Sequence, residues 1–588
     1  MKRLLMGLIL GLLVLLVSWT LLRPGMFRAH DYVHGARIAE MSRILEAGQV
    51  PPRWSQNFGF GYGMPLFSFY APLPYFLGAL LTELNFSVTT SIKLLYILCH
   101  LVTTIGMYRL GSKWYGRLGG ILAAGLILLA PYRAVNIYVR GALSELWGMM
   151  TIPWILLSIE LILENCLRSL KTKGQSNCWQ TGWLMLAGWT SILLLSHNIT
   201  AIILLPLGMI WLVILTIKYQ SEFSKYQRFW QNWWRAIGQM LLGAGLGLGL
   251  ASFYVWPAIL EKNLTRVDDL ILGGYFDYHL HFLYLRQFIQ TNWGYGGSSW
   301  GPEDGLSFFL GYGQVLGLGL LSLFLMTKVW QWLNTSRRQP VIEIKLLLSI
   351  VMGLGIGLLM LMTTLKTQWL WNALPILAYI QFPWRFNGVI LPLVALAVAS
   401  LLGLVPKHFR FIIFGFLLIV TCFNLKFFKP SDDRDYSQVF YYTDETLIRE
   451  QMSGILPDYI PKTLGYENLE PATNLIYSGA DQFKSVDFLV DRVDAHLLEV
   501  EASEPTQLIF SIAEYPGWQV EIDGQVQSHQ MSDLGLIQVM VPAGRHQVGI
   551  LWTETGLRQI ANAASVLALI FWIGLLPVWR KSESTKML

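Results

Sequence analysis

Asp31 is the residue whose setting most invites chemistry. It follows His30 directly and stands three residues before His34. A carboxylate beside imidazoles can take a proton from a hydroxyl group. Other polar residues sit in short runs between apolar stretches. Tyr132 to Glu145 carries Arg133, Arg140 and Glu145 itself; Ser196-His197-Asn198 is a second run; Gln381-Phe382-Pro383-Trp384-Arg385-Phe386 is a third, with a guanidinium next to an indole. Arginine can grip a phosphate through a forked pair of N–H groups. Brought together, these residues would abstract a proton beside a bound phosphate. Each has a plainer reading. Asp31 would cap a helix start, Glu145 would answer a helix dipole, Asn198 would close a helix hairpin, and Arg385 would snorkel at an interface. His279-Leu280-His281 supplies only two zinc-type ligands, in an acid-rich segment best read as a solvated loop.

The elements that must hold these residues are membrane helices. Of 588 residues, 54% are hydrophobic and 14% charged, and the mean hydropathy is +0.46. Soluble domains carry about a quarter charged residues, so a soluble enzyme is excluded, as is disorder. Four cysteines rule out a disulfide-stapled secreted fold. The net charge of +6 is small for this length and gives no reason to expect nucleic acid as a partner. Apolar runs fall at roughly 4–22, 88–108, 118–131, 146–165, 181–195, 199–217, 237–256, 306–327, 346–364, 387–405, 411–427 and 558–579, about twelve spans by window reading. The first is too long for a signal peptide and lacks a cleavage site.

With Met1 inside, the segments 109–117, 168–173, 218–235, 328–345, 407–410 and 580–586 each hold at least two Lys or Arg, as cytoplasmic loops should. Both termini are then cytoplasmic. The segments 23–87, 132–145, 257–305, 365–386 and 428–557 face outward, and every polar run named above lies in one of them or at an outer helix turn. Arg23, Arg28, Arg37, Arg43 and Arg53 run against the rule. Cys99 and Cys422 fall in spans, Cys166 and Cys178 near the inner face.

The segment from Phe27 to Trp54 reads as an interfacial amphipathic helix, with Ile38, Met41 and Leu45 on one face and Arg37, Glu40 and Arg43 on another. The Gly-, Pro- and aromatic-rich stretch 56–75 cannot be a regular helix. Its rings suit sugar stacking or, more commonly, a headgroup belt. Beyond Lys429 the composition becomes soluble in type. Strand-length pieces at 497–500, 507–512, 518–522, 537–541 and 546–552, with Asp523-Gly524 as a hairpin turn, predict a small antiparallel β-sandwich.

This layout resembles the GT-C membrane glycosyltransferases, and the likeness in layout runs over essentially the whole chain. His30-Asp31, Gly141-Ala142-Leu143-Ser144-Glu145, Ser196-His197-Asn198 and Phe382-Pro383-Trp384-Arg385 are similar to a bacterial membrane family labelled 6-pyruvoyl-tetrahydropterin synthase-related. Tyr515-Pro516-Gly517-Trp518, Asp523-Gly524 and Val541-Pro542-Ala543-Gly544 resemble the tail of YfhO-type membrane glycosyltransferases.

The resemblance implies an α-helical polytopic membrane protein with a GT-C-like domain over 1–427, an extracytoplasmic β-rich domain over 428–557, and a last helix with its tail over 558–588. It implies a bacterial cytoplasmic (inner) membrane location with the active face outside. The implied reaction moves a sugar from a polyprenyl-phosphate-linked donor to a glycan, lipid or protein acceptor. Asp31 takes the catalytic place, with Glu145; Arg133, Arg140 and Arg385 the donor phosphate; His30, His34, His197, Asn198 and Trp384 orient. Asp31 is followed by Tyr32 and Val33 where many such enzymes carry an acidic pair, so the cofactor is left unknown, a divalent cation included. A lipid or polysaccharide transporter, or a non-catalytic envelope assembly protein, is the rival reading.

Overall fold

Long apolar runs bounded by Gly, Pro and charge form helices here, because a helix alone satisfies its own backbone in hydrocarbon. The computed structural model describes residues 2–170, 182–224, 226–334, 343–431, 442–455, 457–465 and 469–584. Cys178 and the basic residues Lys171, Lys173, Arg337, Arg338 and Lys586 lie outside them. The first half gives α1 (Lys2–Ser18), α2 (His34–Glu46), α3 (Leu66–Phe69), α4 (Leu73–Glu83), α5 (Val88–Leu128), α6 (Pro131–Ala134), α7 (Leu143–Arg168), α8 (Gly182–Ser196), α9 (Asn198–Phe223) and α10 (Phe229–Leu250). After it come α11 (Ser252–Leu260), α12 (Val267–Ile271), α13 (Tyr312–Asn334), α14 (Ile344–Leu361), α15 (Gln368–Ala373), α16 (Asn387–Leu404), α17 (Arg410–Cys422), α18 (Glu445–Leu447) and α19 (Gly556–Ser584).

The chain is a polytopic α-helical membrane protein with a β-rich C-terminal region. The expected count of about twelve spans is not confirmed. Among the described residues eight helices are long and apolar enough to cross a membrane, or nine if α10 and α11, bent by 80°, form one broken span. The runs expected at 4–22 and 181–195 become short apolar helices, Met6–Ser18 and Gly182–Ser196. Those at 88–108 and 118–131 are the two halves of α5, which break at Gly116 (φ +70°) and pack together where Gly111 meets Gly120 and Ala123.

The helices α7 and α16 are the most enclosed, and both carry the site at their N-terminal ends. The opposite end of α7 holds Glu160 and Glu164. Lys218 reaches Glu160 at 2.6 Å, while Lys113 and Arg168 pair with Glu164. Basic residues from three segments expected inside therefore meet at one end of α7, and Glu145 stands at the other, about 22 Å away along the helix.

The C-terminal region forms two antiparallel sheets. The strands are β1 (Ile476–Ser478), β2 (Phe483–Arg492), β3 (Ala495–Ala502), β4 (Thr506–Ala513), β5 (Trp518–Ile522), β6 (Gln525–Gln527), β7 (Gln530–Met531), β8 (Leu536–Val541) and β9 (Gly544–Trp552). One sheet has the order β1-β4-β8-β7, the other β2-β3-β9-β5-β6. Alternation along β3 buries Leu498 and Val500. Asp523 and Gly524, at φ +51° and +75°, make the tight turn between β5 and β6.

The irregular stretch 56–75 does not end as a headgroup belt. It interlocks with the C-terminal region: Ala472 N donates to Phe60 O and Ala513 N to Tyr62 O, both at 2.8 Å. Gly63, at φ +80°, sits so close to the Trp54 ring that a Cβ would fall 2.4 Å from it. The amphipathic helix is also corrected. It runs over α2 alone, and its charged face is not open to water: Arg37 and Glu40 are buried. Glu40 is met by Arg43 at 2.7 Å, Ser55 Oγ at 2.6 Å and Asn57 Nδ2 at 2.8 Å.

Candidate active site

Asp31 precedes α2 without capping it. The cap position is Val33, and no side chain bonds there; the capping reading is thereby removed. Its backbone is instead sewn to the turn before α7. His30 N donates to Val139 O at 2.9 Å and Asp31 N to Arg140 O at 2.8 Å. That turn is a single π-helical turn, Val135–Val139, followed by Arg140 and by Gly141 at φ +72°. A Cβ on Gly141 would stand 3.0 Å from Ala29 Cβ and 3.2 Å from Asp31 O. The close approach needs glycine, and it carries Arg140 up to the acid.

Glu145, 4% exposed, opens α7 and gathers the cations. Arg140 Nη1 donates to its Oε2 at 2.8 Å, and Arg385 Nε stands 3.3 Å from the same oxygen. Tyr132 Oη and Asn136 Nδ2 donate to Oε1 at 2.6 and 3.2 Å. Two guanidinium groups share one carboxylate here, so the cluster keeps an excess positive charge that an anion would complement. Trp384 presents its ring to Arg140, with Cζ 4.6 Å from the centroid. The indole is held by Nε1 donating to Ser298 Oγ at 3.1 Å, and that hydroxyl also meets His281 Nδ1 at 2.7 Å. The His279 and His281 pair thus has structural partners, Asp277 at 2.6 Å for the former.

Burial pushes the Asp31 carboxyl above its ordinary range, against the pull of Arg140, Arg37, His30 and Arg385. A carboxylate raised by burial is a stronger base than one in water. A cavity of about 10 Å³ opens beside it, walled by His34, Tyr96, Gly141 and Tyr442, at the lower limit of room for one water. His34 Nδ1 shares a 2.8 Å hydrogen bond with Tyr75 Oη, and burial holds its imidazole down at about 3, so it is neutral. His30 is exposed and reaches Tyr295 O at 2.8 Å.

His197 caps α9, accepting from Thr200 N, and lies against Gly148, one turn beyond Glu145. Asn198 Nδ2 donates to Tyr254 Oη at 3.2 Å, whose hydroxyl donates to Phe69 O at 2.8 Å. Arg133 stands apart from the cluster. It is buried away from Glu145, and its Nη2 donates to His100 Nδ1 at 3.1 Å. The π-turn Val135–Val139 separates Arg133 from Arg140, and their guanidinium groups meet different partners, His100 and Glu145.

Sequence reasoning missed Tyr132 and Asn136, which hold Glu145, and Arg37, which it put on a wet face. Among the described residues no three His, Cys, Asp or Glu converge as a metal site would need, so no residue is assigned to a divalent cation. A larger cavity of about 520 Å³, lined by apolar residues of α4, α8, α11 and α19 such as Phe76, Ile192, Phe253 and Trp572, contains none of the named site residues.

No family model matches the chain. An uncharacterized protein of Lactococcus lactis subsp. cremoris (strain MG1363) is 23% identical over 265 residues, which are 44% of this chain and 40% of that protein. The chain thus matches less than half the length of this curated relative. Among solved structures, arabinofuranosyltransferase AftD from Mycobacteria aligns at TM-score 0.41 and 16% identity, over 76% of this chain and 27% of that one. ArnT from Cupriavidus metallidurans, solved bound to undecaprenyl phosphate, gives 0.36 and 10% over 78% of each chain. The Archaeoglobus fulgidus oligosaccharyltransferase, tethered to an acceptor peptide, gives 0.40 and 11% over 76% and 56%. Scores this low assign neither chemistry nor residue roles to this chain.

Proposed function

We propose that this chain is a membrane glycosyltransferase of the GT-C type, acting at the outer face of the bacterial cytoplasmic membrane on a polyprenyl-phosphate-linked sugar. The observation that carries this reading is the half-buried Asp31 carboxylate, fastened by its own backbone to Arg140 within the Arg140–Glu145–Arg385 cluster. Asp31 takes the proton of an acceptor hydroxyl. The hydroxyl oxygen bonds to the anomeric carbon as the bond from that carbon to the donor phosphate oxygen breaks, inverting the centre. The polyprenyl phosphate leaves as an anion, and Arg140 and Arg385 stabilise the charge it gains. Glu145, Tyr132 and Asn136 hold the arginines in place, and Trp384 backs Arg140.

A transporter would want its ionisable groups at mid-span, whereas these lie at helix ends. The test is transfer from a labelled polyprenyl-phosphate sugar in membranes. Asp31→Asn keeps the shape and loses the base, so a fall of about 10²–10⁴-fold is expected. Full transfer by a folded Asp31→Asn chain would overturn the assignment.

A further inference from the structure

Next to Asp31 stands a polar group that the transfer chemistry leaves unused. Arg37, one turn past His34, is 1% exposed. Its Cζ lies 3.8 Å over the Tyr70 ring. Among the described residues its side chain makes one hydrogen bond, a long one of 3.5 Å to Tyr75 Oη, and its Nε has no partner. Asp458, from the far end of the chain, is 7% exposed and makes no hydrogen bond or ion pair among the described residues. Arg37 acts on its charge through space without closing an ion pair.

The position of Asp458 is fixed. The Tyr459 ring stacks on Phe69 at 5.8 Å and 8°, and meets the Tyr70 ring edge-on at 6.2 Å. Arg266 N donates to Ile460 O at 3.2 Å, and Thr265 bridges Pro461. The segment is therefore clamped between the end of α3 and the loop after α11.

A buried guanidinium and a buried carboxylate, each without a full set of partners, are costly to keep. A ligand that both donates and accepts relieves both. An anion would meet Asp458, and a cation would meet Arg37. A neutral polyol suits the pair: its hydroxyls donate to the carboxylate and accept from the guanidinium, and its C–H face lies on aromatic rings. We propose that Arg37, Asp458, Tyr70 and Tyr459 form a binding subsite for a neutral sugar beside Asp31. Assigning that sugar to the acceptor rests on the transferase reading; the binding itself does not.

The experiment is saturation-transfer NMR on the purified full chain in lipid nanodiscs, with methyl hexosides and methyl pentosides as probes and sn-glycerol 3-phosphate as the anionic probe. At least one glycoside should receive saturation from the native chain. Asp458→Asn and Arg37→Met should lower that signal at least tenfold. Tyr459→Leu carries the same expectation should Arg37→Met not fold. No glycoside signal on the native chain, an unchanged signal in Asp458→Asn, or a stronger Asp458-dependent signal from glycerol phosphate would overturn the subsite. Glycoside binding that persists in a chain with no transfer activity would leave the subsite standing and sink the transferase reading.

Discussion

At the scale of residues, the site is a contest between burial and pairing. Asp31 sits among cations that favour its charged form, yet burial wins and its carboxyl rises. Activity needs that carboxylate free of its proton, so transfer should fall on the acidic side through a pKa above 4, the ordinary value. A rate profile flat down to pH 4 would count against Asp31 as the base. Asp458 gives a second, separate expectation. Burial lifts it from 3.8 to about 6, with Arg37 pulling the other way. A group raised on folding adds stability only below its unfolded value and loses it as pH climbs through the folded one. From 3.8 to about 6 the loss is about 3 kcal/mol. Asp458→Asn should then raise the melting midpoint at pH 7.5 and leave it nearly unchanged at pH 4. Equal midpoints at pH 7.5 would show that the acid is already satisfied.

At the scale of elements, what periodicity could show was which stretches are helical and which lie beside the chemistry. Runs of about 20 apolar residues announce spans; Glu145, Arg140 and Arg385 stood out because each lies at or just before the start of one, and Asp31 because His30 and His34 flank it. The break at Gly116 was legible too, since the charged segment 109–117 parts two apolar runs. Two things were not. The burial of Arg37 depends on Tyr70 and Tyr75, brought over α2 by an irregular stretch without a period. Asp458 is close to Arg37 only through stacking of Tyr459 on Phe69, a contact between segments with no pattern in common. Arg133 stands apart for a local reason, the π-turn that separates it from Arg140. The same turn makes Gly141 a sharp test. Gly141→Ala would place a methyl 3.0 Å from Ala29 Cβ in a backbone conformation costing roughly 1–2 kcal/mol for an L residue. The 29–31 segment must shift, so transfer should drop at least tenfold while the melting midpoint moves by only a few degrees. Native transfer in that variant would mean that the pairing of Asp31 with Arg140 is not what sets the geometry.

At the scale of the whole molecule, the β-rich region and the membrane helices share one buried joint, and the placement of Asp458 follows from it. Trp54 lies within 5.3–6.0 Å of Trp552, Trp518 and Tyr515. Arg53 binds Glu554 at 3.2 Å and Asn562 at 2.8 Å, tying the loop between α2 and α3 to α19. Arg558, fully buried, meets Glu261 at 3.0 Å and lies over Tyr515 and Trp552. Glu261 ends α11, and the loop it begins bonds the segment that holds Asp458. Removing one partner of such a pair strands the other charge, at a cost of about 3–5 kcal/mol, whereas replacing both by apolar groups is often neutral. Arg558→Met alone should lower the melting midpoint and weaken glycoside binding at Asp458, although residue 558 touches no proposed ligand. The double change Glu261→Met with Arg558→Met should restore the midpoint. Glycoside binding should return with it if the joint acts by holding the segment still. A double variant as unstable as the single one would show that the ion pair is not what joins the two parts, and that the Trp54 cluster carries the joint without it.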